Sequence, residues 1–444
     1  MSKKKPFYGW WIVASCFVTF GISTGLPYYN IAFFFDYLRD DHSWPISFVT
    51  MGAPVAVLLT LWTGPIIVPR VSPRLLIIIG TGMTFGAFQW MARLSGAQWE
   101  YYAAWSIYML GYFLAGPIPH QIIISNWFKE KRGRAMGIAY VGVAVIGSFG
   151  NKLGPWLASE MHYTEALKYM SFVLLAAWPI AIFMLKDKPS DMGQFPDGKE
   201  SAPEPEVAIK AETAPAAAAR VARNRGLSFA ELTKASSFWL LLVGSAASIG
   251  SIAAVNFHMK FVFEYQGFTD QTMRNEIWST ASVWVLWSSI AGRLLAGYFA
   301  DKFPRKYVML ITYVIVAIAI PSLFLVTPEN TSFVYIFALI FGFAMGADYM
   351  LIPLMAADQF GLNSLARAMS AILPTDTIAQ FWFPNLVARL RDLLMGDYTT
   401  AMLAVFGTAF IGAVAIALLP RYGPGGERKQ KGKLDIPDPK AAVP

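Results

Sequence analysis

The chain has 444 residues, of which 56% are hydrophobic and only 14% are charged, and its formal net charge is +8 at pH 7. Soluble domains are about one quarter charged, so this composition excludes a water-soluble protein and indicates an integral membrane protein. The basic residues lie in short segments between apolar runs, a pattern that argues for membrane topology and against nucleic-acid binding. The single cysteine, Cys16, excludes an intrachain disulfide.

Apolar runs of about 20 residues, the length that spans a bilayer as a helix, occur twelve times and predict an all-α membrane protein. The first run is too long for the apolar part of a cleaved signal peptide, so we expect it to remain as a helix. The predicted spans are residues 9–35, 47–68, 75–94, 100–126, 134–158, 167–185, 238–263, 277–300, 307–327, 332–357, 368–390 and 399–420.

Lysine and arginine are distributed unequally between the two sides that these spans define. Of the 36 basic residues, the tails and the even-numbered loops hold 27, and the opposite loops hold 6. Because cytoplasmic loops are enriched in lysine and arginine, this asymmetry predicts that both termini and the central loop are cytoplasmic. The compact chain and its Ala/Pro-rich loop favour a multi-pass protein of a bacterial inner (plasma) membrane.

The central loop divides the chain into two halves. Its Ala-, Pro- and Glu-rich part predicts a flexible linker. The predicted organisation is a six-helix half (1–186), a cytoplasmic linker (187–237), a second six-helix half (238–420) and a cytoplasmic tail (421–444).

The two halves resemble each other at matching places. The segment 69–74 after span 2 corresponds to 301–306 after span 8, and Arg134-Ala135-Met136 corresponds to Arg367-Ala368-Met369 at nearly the same sequence offset. Parallel repeats of this kind are one transporter plan, in which the substrate binds between the halves near the midplane.

The segment from Gly292 to Lys306 carries a motif that resembles a loop signature of the major facilitator superfamily, with Pro304 where glycine is usual. Its matching residues are Gly297, Asp301, Lys302, Arg305 and Lys306. The resemblance extends over essentially the whole chain and implies the superfamily's fold and alternating access. It also implies that ion pairs at these helix ends hold one gating state. The first-half copy has Pro69 in place of the aspartate.

Three further stretches resemble monocarboxylate transporters and oxalate:formate antiporters. They are Tyr8-Gly9-Trp10 with Leu26-Pro27-Tyr28 and Phe33-Phe34-Phe35, the segment from Trp127 to Ala139, and Arg293. The resemblance implies that Arg293 binds a substrate carboxylate. Tyr28 and Ser289 stand where the animal transporters have a lysine and an aspartate, so their proton-coupling pair is not carried over.

Arg293 is also the leading candidate from physical chemistry. It lies about 12 Å of helix from the end of its span, where an arginine usually faces a partner or a water-filled cavity. Its guanidinium can bind a carboxylate through two hydrogen bonds. The alternative is that it braces helix ends against Asp301-type neighbours or backbone carbonyls.

Spans 1 and 7 occupy corresponding places in the two halves and both carry polar clusters. Asn256 and Lys260 share a helix face, and His258 points away from it. The candidates for the substrate site are Tyr28, Tyr29, Asn30, Asn256, His258 and Lys260. The alternative is that Lys260 extends to the outer interface and His258 makes an ordinary interhelical hydrogen bond.

The candidates for proton coupling are Asp376, Asp348 and His120. Gln380 shares a helix face with Asp376 and joins the substrate-site candidates. Carboxylates inside a membrane protein and a histidine in a proline-kinked helix are suited to carry protons. The alternatives are a structural histidine, and an Asp376 that neutralises Arg293 or Lys260.

Motifs of ATPases, paired-cysteine metal sites and nucleophile elbows are not found in the sequence. We therefore expect no enzyme activity, no cofactor and no bound metal, but a secondary transporter, monomeric in the lipid bilayer. It would move a small organic anion, a short mono- or dicarboxylate, by proton coupling or exchange. The alternatives are another cargo on the same fold (an aromatic acid, a sugar acid or an exported drug) and a non-transporting membrane sensor.

Overall fold

The computed structural model describes residues 6–60, 67, 70–199 and 227–421, and these form twelve main helices. The helices are Gly9–His42 (α1), Ile46–Thr60 (α2), Pro73–Met91 (α3), Gln98–Trp127 (α4), Arg132–Glu160 (α5), Tyr163–Met184 (α6), Ser236–Tyr265 (α7), Gln271–Lys302 (α8), Arg305–Leu325 (α9), Phe333–Phe360 (α10), Leu362–Leu393 (α11) and Tyr398–Leu418 (α12).

Nine helices in the described part of the chain are long and apolar enough to cross a membrane, and α2 is a shorter apolar helix. This confirms the prediction of an all-α membrane protein. The apolar pattern underestimates α1, which continues beyond residue 35 to His42 through a polar last turn. It also misses the first turns of α8, which begins at Gln271. Helices extend past their apolar stretch where polar side chains find partners.

Equivalent helices of the two halves pack in the same way. α1 packs on α5 as α7 does on α11, α2 on α4 as α8 does on α10, and α3 on α6 as α9 does on α12. Arg74, at the start of α3, donates to the carbonyl of Ile182 on α6. Lys306, the equivalent residue at the start of α9, donates to the carbonyl of Leu419 after α12. The sequence repeat thus corresponds to one repeated contact.

Small residues allow the closest helix pairs to form. A Cβ at Gly142 of α5 would lie 2.0 Å from the Phe17 carbonyl oxygen of α1. A Cβ at Gly346 of α10 would lie 1.9 Å from the Ser289 carbonyl oxygen of α8. Backbones approach each other this closely in membrane bundles only where the interface residues are small.

The two faces of the bundle are named here by their helix ends. The basic face is the one on which α1, α5, α7, α9 and α11 begin, and it includes the loops Phe128–Lys131 and Phe303–Pro304. The far face is the one on which α1 and α7 end and α2 and α8 begin.

The described start of the predicted linker folds against the basic face of the first half. The carboxylate of Asp197 accepts hydrogen bonds from the backbone N–H groups of Lys129, Glu130 and Lys131 at 3.0, 2.9 and 3.3 Å. Burial alone would raise the pKa of Asp197, but these three donors outweigh it and hold that pKa below its usual value. Residues 200–226, which include most of the Ala/Pro-rich part, and the tail after 421 lie outside the described residues.

Candidate functional site

One face of α8 is directed at the first half from Asn275 to Arg293. Asn275 donates to the Tyr37 hydroxyl (2.7 Å), and Ser279 donates to the Asn151 carbonyl (2.7 Å). Arg293 lies on the same face, since Asn275, Ser279 and Arg293 are separated by nearly whole numbers of helical turns. The neighbouring Gly292 instead contacts α10, where its Cβ would lie 2.0 Å from the Phe343 carbonyl. Close packing of α8 on α10 therefore turns Arg293 toward the other half.

Arg293 is half-buried and reaches across the boundary between the halves. Its NH1 donates to the backbone carbonyl of Tyr140 on α5 at 3.1 Å, and the Tyr29 hydroxyl of α1 lies beside its guanidinium. Within the described residues, no carboxylate forms an ion pair with it. A guanidinium that has donors to spare and no counter-charge inside a membrane bundle is suited to hold an anion.

Tyr28 joins the halves beside this arginine. Gln380 of α11 donates to the Tyr28 hydroxyl at 2.6 Å, so both predicted residues are brought together. Aromatic rings surround Tyr28 with centroids 5.0 to 6.2 Å away; they are Tyr29, Tyr112, Phe257 and Phe381. This aromatic cluster gives the centre of the molecule an apolar wall next to a positive charge.

A small cavity lies between the halves on the far-face side of Arg293. Its volume is about 10 Å³, roughly room for one water molecule. Tyr28, Tyr29 and Asn256 line it together with Asn151 and Trp278. The Asn151 Oδ1 and Trp278 Nε1 atoms are buried and have no hydrogen-bond partner among the described residues. In this conformation the interface is too tightly closed at this level to hold a substrate.

Ion pairs close the far face between the halves. The Asp36 carboxylate of α1 binds Lys260 Nζ at 2.8 Å, Gln271 Nε2 at 2.9 Å and Arg274 Nε at 3.4 Å. Arg39 binds Glu264 through two hydrogen bonds of 2.8 and 2.9 Å. We call these six residues of α1, α7 and α8 the far-face lock. Asn385 of α11 adds a contact by donating to the Ser47 carbonyl and the Thr50 hydroxyl of α2.

Three predicted substrate-site residues lie away from Arg293. Lys260 is buried in the far-face lock, where its Nζ also lies 3.8 Å from the centre of the Phe33 ring. Asn30 faces α5, since its Nδ2 donates to the carbonyls of Leu26 and Gly147. His258 faces α11 and α12, with Nε2 2.7 Å from the Pro384 carbonyl and Nδ1 3.1 Å from the Tyr398 hydroxyl.

His120 is fully buried inside the first half. Its Nδ1 lies 2.7 Å from the Gly116 carbonyl, and its Nε2 lies 3.0 Å from the Thr19 hydroxyl. Both ring nitrogens therefore have partners in the neutral form, an arrangement that fits the structural alternative for this histidine.

Asp348 and Asp376 lie inside the second half. Ser248 donates to Asp348 at 2.8 Å, and Ser245 donates to Asp376 at 2.7 Å. Neither carboxylate contacts Arg293 or Lys260, so the described residues give Asp376 no cation to neutralise. Gln380, one turn along α11 from Asp376, connects this region with Tyr28.

The motif at the end of α8 and the start of α9 forms its ion pair with a residue outside the motif. Arg305 pairs with Asp358 at the end of α10, at 2.7 Å, and Asp301 is exposed. Lys306 binds the end of α12, and Lys302 contacts the Tyr298 hydroxyl on its own helix. Gly297 leaves room for Met350, whose Cε would lie 2.7 Å from an added Cβ. These contacts all stay within the second half.

Several residues of these sites were not predicted from the sequence. Asp36 falls one residue beyond the predicted first span, and Arg274 falls in a predicted loop, although opposite charges at adjoining span ends were an available signal. The serines give no such signal, because hydroxyl residues are common in membrane helices. The Tyr140 carbonyl gives none either, because every residue has a backbone carbonyl. The unpredicted residues are Asp36, Arg39, Tyr140, Ser245, Ser248, Glu264, Gln271, Arg274 and Tyr313.

Comparison with known proteins gives one family and several relatives. The model of the Major Facilitator Superfamily matches residues 115–384. The chain is similar to MFS transporter asaE of Aspergillus flavus, with 21% identity over 295 residues that cover 65% of this chain and 59% of that protein. It is also similar to the Fujikurins efflux protein of Gibberella fujikuroi, with 25% identity over 313 residues that cover 69% and 59%. The match therefore spans less than two thirds of either relative.

Solved structures share the fold at low sequence identity. The nucleoside transporter NupG superposes with a TM-score of 0.69 and 12% identity, over 93% of this chain and 99% of that chain. A bacterial homologue of the human lysosomal transporter Spinster, in an inward-facing and unoccupied conformation, superposes with a TM-score of 0.58 and 15% identity, over 94% and 95%. At these identities the likeness concerns the fold alone.

Proposed function

The chain belongs to the Major Facilitator Superfamily, and we propose that it is a secondary transporter of a small organic anion, a short mono- or dicarboxylate. The observation that carries this proposal is Arg293, a half-buried guanidinium at the boundary of the halves with no carboxylate partner among the described residues. The family is one of transporters and not of enzymes, so the site is interpreted as a binding site.

The anion would bind where the positive charge is least satisfied. Arg293 uses one N–H for the Tyr140 carbonyl, which leaves donors that can hold both oxygens of a carboxylate. Tyr29 can add a hydroxyl donor, since it lies beside the guanidinium. Hydrogen bonds to charged groups contribute about 1.5–3 kcal/mol each, enough for a few such bonds to select an anion over a neutral molecule. Tyr28, Gln380 and Asn256 would shape the remaining pocket.

Alternating access would proceed by exchanging which face is closed. We assign the basic face to the cytoplasm, because cytoplasmic loops are enriched in lysine and arginine. Both termini are then cytoplasmic, and the proposed location is a bacterial inner membrane. The far-face lock joins the halves through Asp36, Lys260 and Glu264, so the described conformation would be closed to the outside. Transport would require this lock to break while the halves approach each other at the basic face.

The driving force would be a proton gradient or the exchange of one anion for another. Asp376 and Asp348 are the proposed proton carriers, since both are buried with hydroxyl partners and, among the described residues, no cation. His120 remains a less favoured candidate because both of its ring nitrogens have partners within the first half.

The proposal is tested by exchange of radiolabelled anions in proteoliposomes. A panel of lactate, pyruvate, formate, oxalate and benzoate is loaded inside and out, with and without an inward proton gradient. We expect exchange of at least one carboxylate by the wild type, and its loss in Arg293→Ala and Arg293→Lys, because an ammonium cannot offer the planar pair of donors. The matched control is Arg93→Ala, an exposed arginine just after the end of α3 that donates to Gln89 of that helix. Equal exchange by the wild type and both Arg293 variants would refute the anchor.

A larger cargo is the second candidate. The aromatic cluster around Tyr28 could stack on an aromatic acid or a drug-like compound, and one relative is named an efflux protein. Benzoate exchange that exceeds lactate and oxalate exchange, and that falls in Phe381→Ala, would favour this candidate. The opposite ranking would favour the short carboxylates.

A further inference from the structure

Two carboxylates are buried in the second half without a balancing cation. Asp348 on α10 is 0% exposed, and Asp376 on α11 is 5% exposed. Within the described residues, neither forms an ion pair with a lysine, arginine or histidine. Two unpaired negative charges in such a place are unfavourable by many kcal/mol, so the pair must hold a compensating positive charge in the folded protein.

Hydroxyl groups from two other helices surround the pair. Ser245 and Ser248, one turn apart on α7, donate to Asp376 and Asp348 respectively and hold the carboxylates as neighbours. Tyr313 of α9 is fully buried, and its hydroxyl lies beside Asp348. Among the described residues, the Tyr313 hydroxyl and Asp348 Oδ1 have no hydrogen-bond partner other than each other. The shell thus consists of oxygens, and two of these oxygens are free to turn toward a bound cation.

An oxygen-only shell that carries negative charge is what a proton or a hard monovalent ion requires. Hard cations prefer carboxylate and hydroxyl oxygen, and two neighbouring carboxylates commonly share one proton because they cannot both stay ionised. The titratable groups that face the pair are Tyr313 of α9, Tyr349 of α10 and the two carboxyls themselves. No three His, Cys, Asp or Glu residues cluster in the described chain as a divalent metal site would need.

We infer that Asp348 and Asp376, with Ser245, Ser248 and Tyr313, form a single binding site for one monovalent cation, a proton or a sodium ion, that couples to anion transport. This inference rests on the proposed function, because it assigns the coupling ion of that transport cycle. It makes the two carboxylates one unit, so that loss of either removes the site.

A continuous face of α11 connects the cation site with the anion site. Gln380 lies one turn from Asp376 and donates to Tyr28, and the next residue, Tyr29, lies beside Arg293. When the cation is bound, the pair has a net charge of −1; when it is released, the pair has a net charge of −2. Release would therefore strain α11 against α7 and α10, and α11 would transmit this strain to Tyr28. Coupling needs no direct contact between the two ligands.

Thermal unfolding of the purified full chain in detergent tests the site without any organic anion. Melting temperatures are measured in NaCl, KCl and choline chloride at equal ionic strength, and then from pH 9 to pH 5 without sodium. We expect Na⁺ but not K⁺, or else falling pH, to raise the melting temperature of the wild type by about 3 °C when the cation is at ~100-fold its dissociation constant. Asp348→Asn and Asp376→Asn should each abolish the dependence.

The control is Glu276→Gln, an exposed carboxylate at the start of α8 that should leave the dependence unchanged. Ser248→Ala, which keeps both carboxylates, should weaken the dependence without abolishing it, and it serves if an Asn variant does not fold. A wild type indifferent to both cations, or a dependence that survives in both Asn variants, would overturn the inference.

The two proposals fail in different ways. If Arg293→Ala abolishes carboxylate exchange while the melting temperature ignores sodium and pH, the cation site is wrong and the anion site stands. If no carboxylate is exchanged while the cation dependence maps to Asp348 and Asp376, the proposed cargo is wrong and the cation site stands.

Discussion

The far-face lock predicts an asymmetry between its charged members. Asp36 is 1% exposed and is the one anion that contacts both Lys260 and Arg274 in the described structure. Among the described residues, Asp36→Asn would leave the buried Lys260 without a counter-charge and Arg274 with only Glu264, 3.6 Å away. Removing one partner of a buried pair is unfavourable by about 3–5 kcal/mol. Lys260→Met would leave Asp36 with Arg274 at 3.4 Å and Gln271 at 2.9 Å. We therefore expect Asp36→Asn to be the more disruptive change.

The lost stabilisation belongs to the far-closed state, because the partners come from opposite halves. A loss of about 3–5 kcal/mol corresponds to roughly a 10²–10⁴-fold shift toward far-face opening. The assay is labelling of a cysteine at Ala32, a cavity-lining residue of α1, by a membrane-impermeant maleimide; Cys16 is buried. Labelling should be fastest in Asp36→Asn, intermediate in Lys260→Met and slowest in the otherwise unchanged protein. Faster labelling in Lys260→Met than in Asp36→Asn would refute the reasoning.

Two further predictions concern stability. Gly346→Ala should lower the melting temperature, because its Cβ would lie 1.9 Å from the Ser289 carbonyl and overpacking typically costs about 1–3 kcal/mol. The control is Gly407→Ala, which has open space around it; equal effects of the two substitutions would contradict the close α8–α10 contact. Asp197→Asn should destabilise the protein at pH 7. Because the pKa of Asp197 is lowered in the folded chain, its stabilisation is present above the unfolded pKa of about 3.9 and is lost as pH falls through the folded value. A melting-temperature difference between wild type and Asp197→Asn that does not shrink as pH falls below about 3.9 would count against this role.

The general architecture could be predicted from the sequence because a helix that spans a membrane requires a long apolar run. The same runs made Arg293 a candidate, because a cation within an apolar run requires an explanation; its role as the anion-binding residue stays a prediction. The helical spacing also indicated correctly that His258 points away from Asn256 and Lys260. The sequence repeat predicted equivalent places for Arg74 and Lys306, which the matching contacts of both residues agree with.

Partners across the two halves could not be predicted, because a single sequence does not say which helix faces which. The sequence left two interpretations of Lys260 open, and only the structure shows that the Asp36 carboxylate of α1 lies 2.8 Å from Lys260 Nζ. Asn30 shares a cluster with Tyr28 and Tyr29 in the sequence, but the turn of α1 directs it to α5. The hydrogen bonds of Ser245 to Asp376 and of Ser248 to Asp348 are evident only from the structure. Hydroxyls carry no signal of their own in an apolar helix.

The central claim is that the charge of Arg293 holds the transported anion. Isothermal titration of the purified protein with the carboxylate that is exchanged fastest measures this directly. We predict saturable binding to the wild type and to Arg93→Ala. The affinity of Arg293→Ala should be at least about tenfold weaker, because the loss of one charged hydrogen bond costs about 1.5–3 kcal/mol of binding free energy. Unchanged affinity in Arg293→Ala would contradict the account.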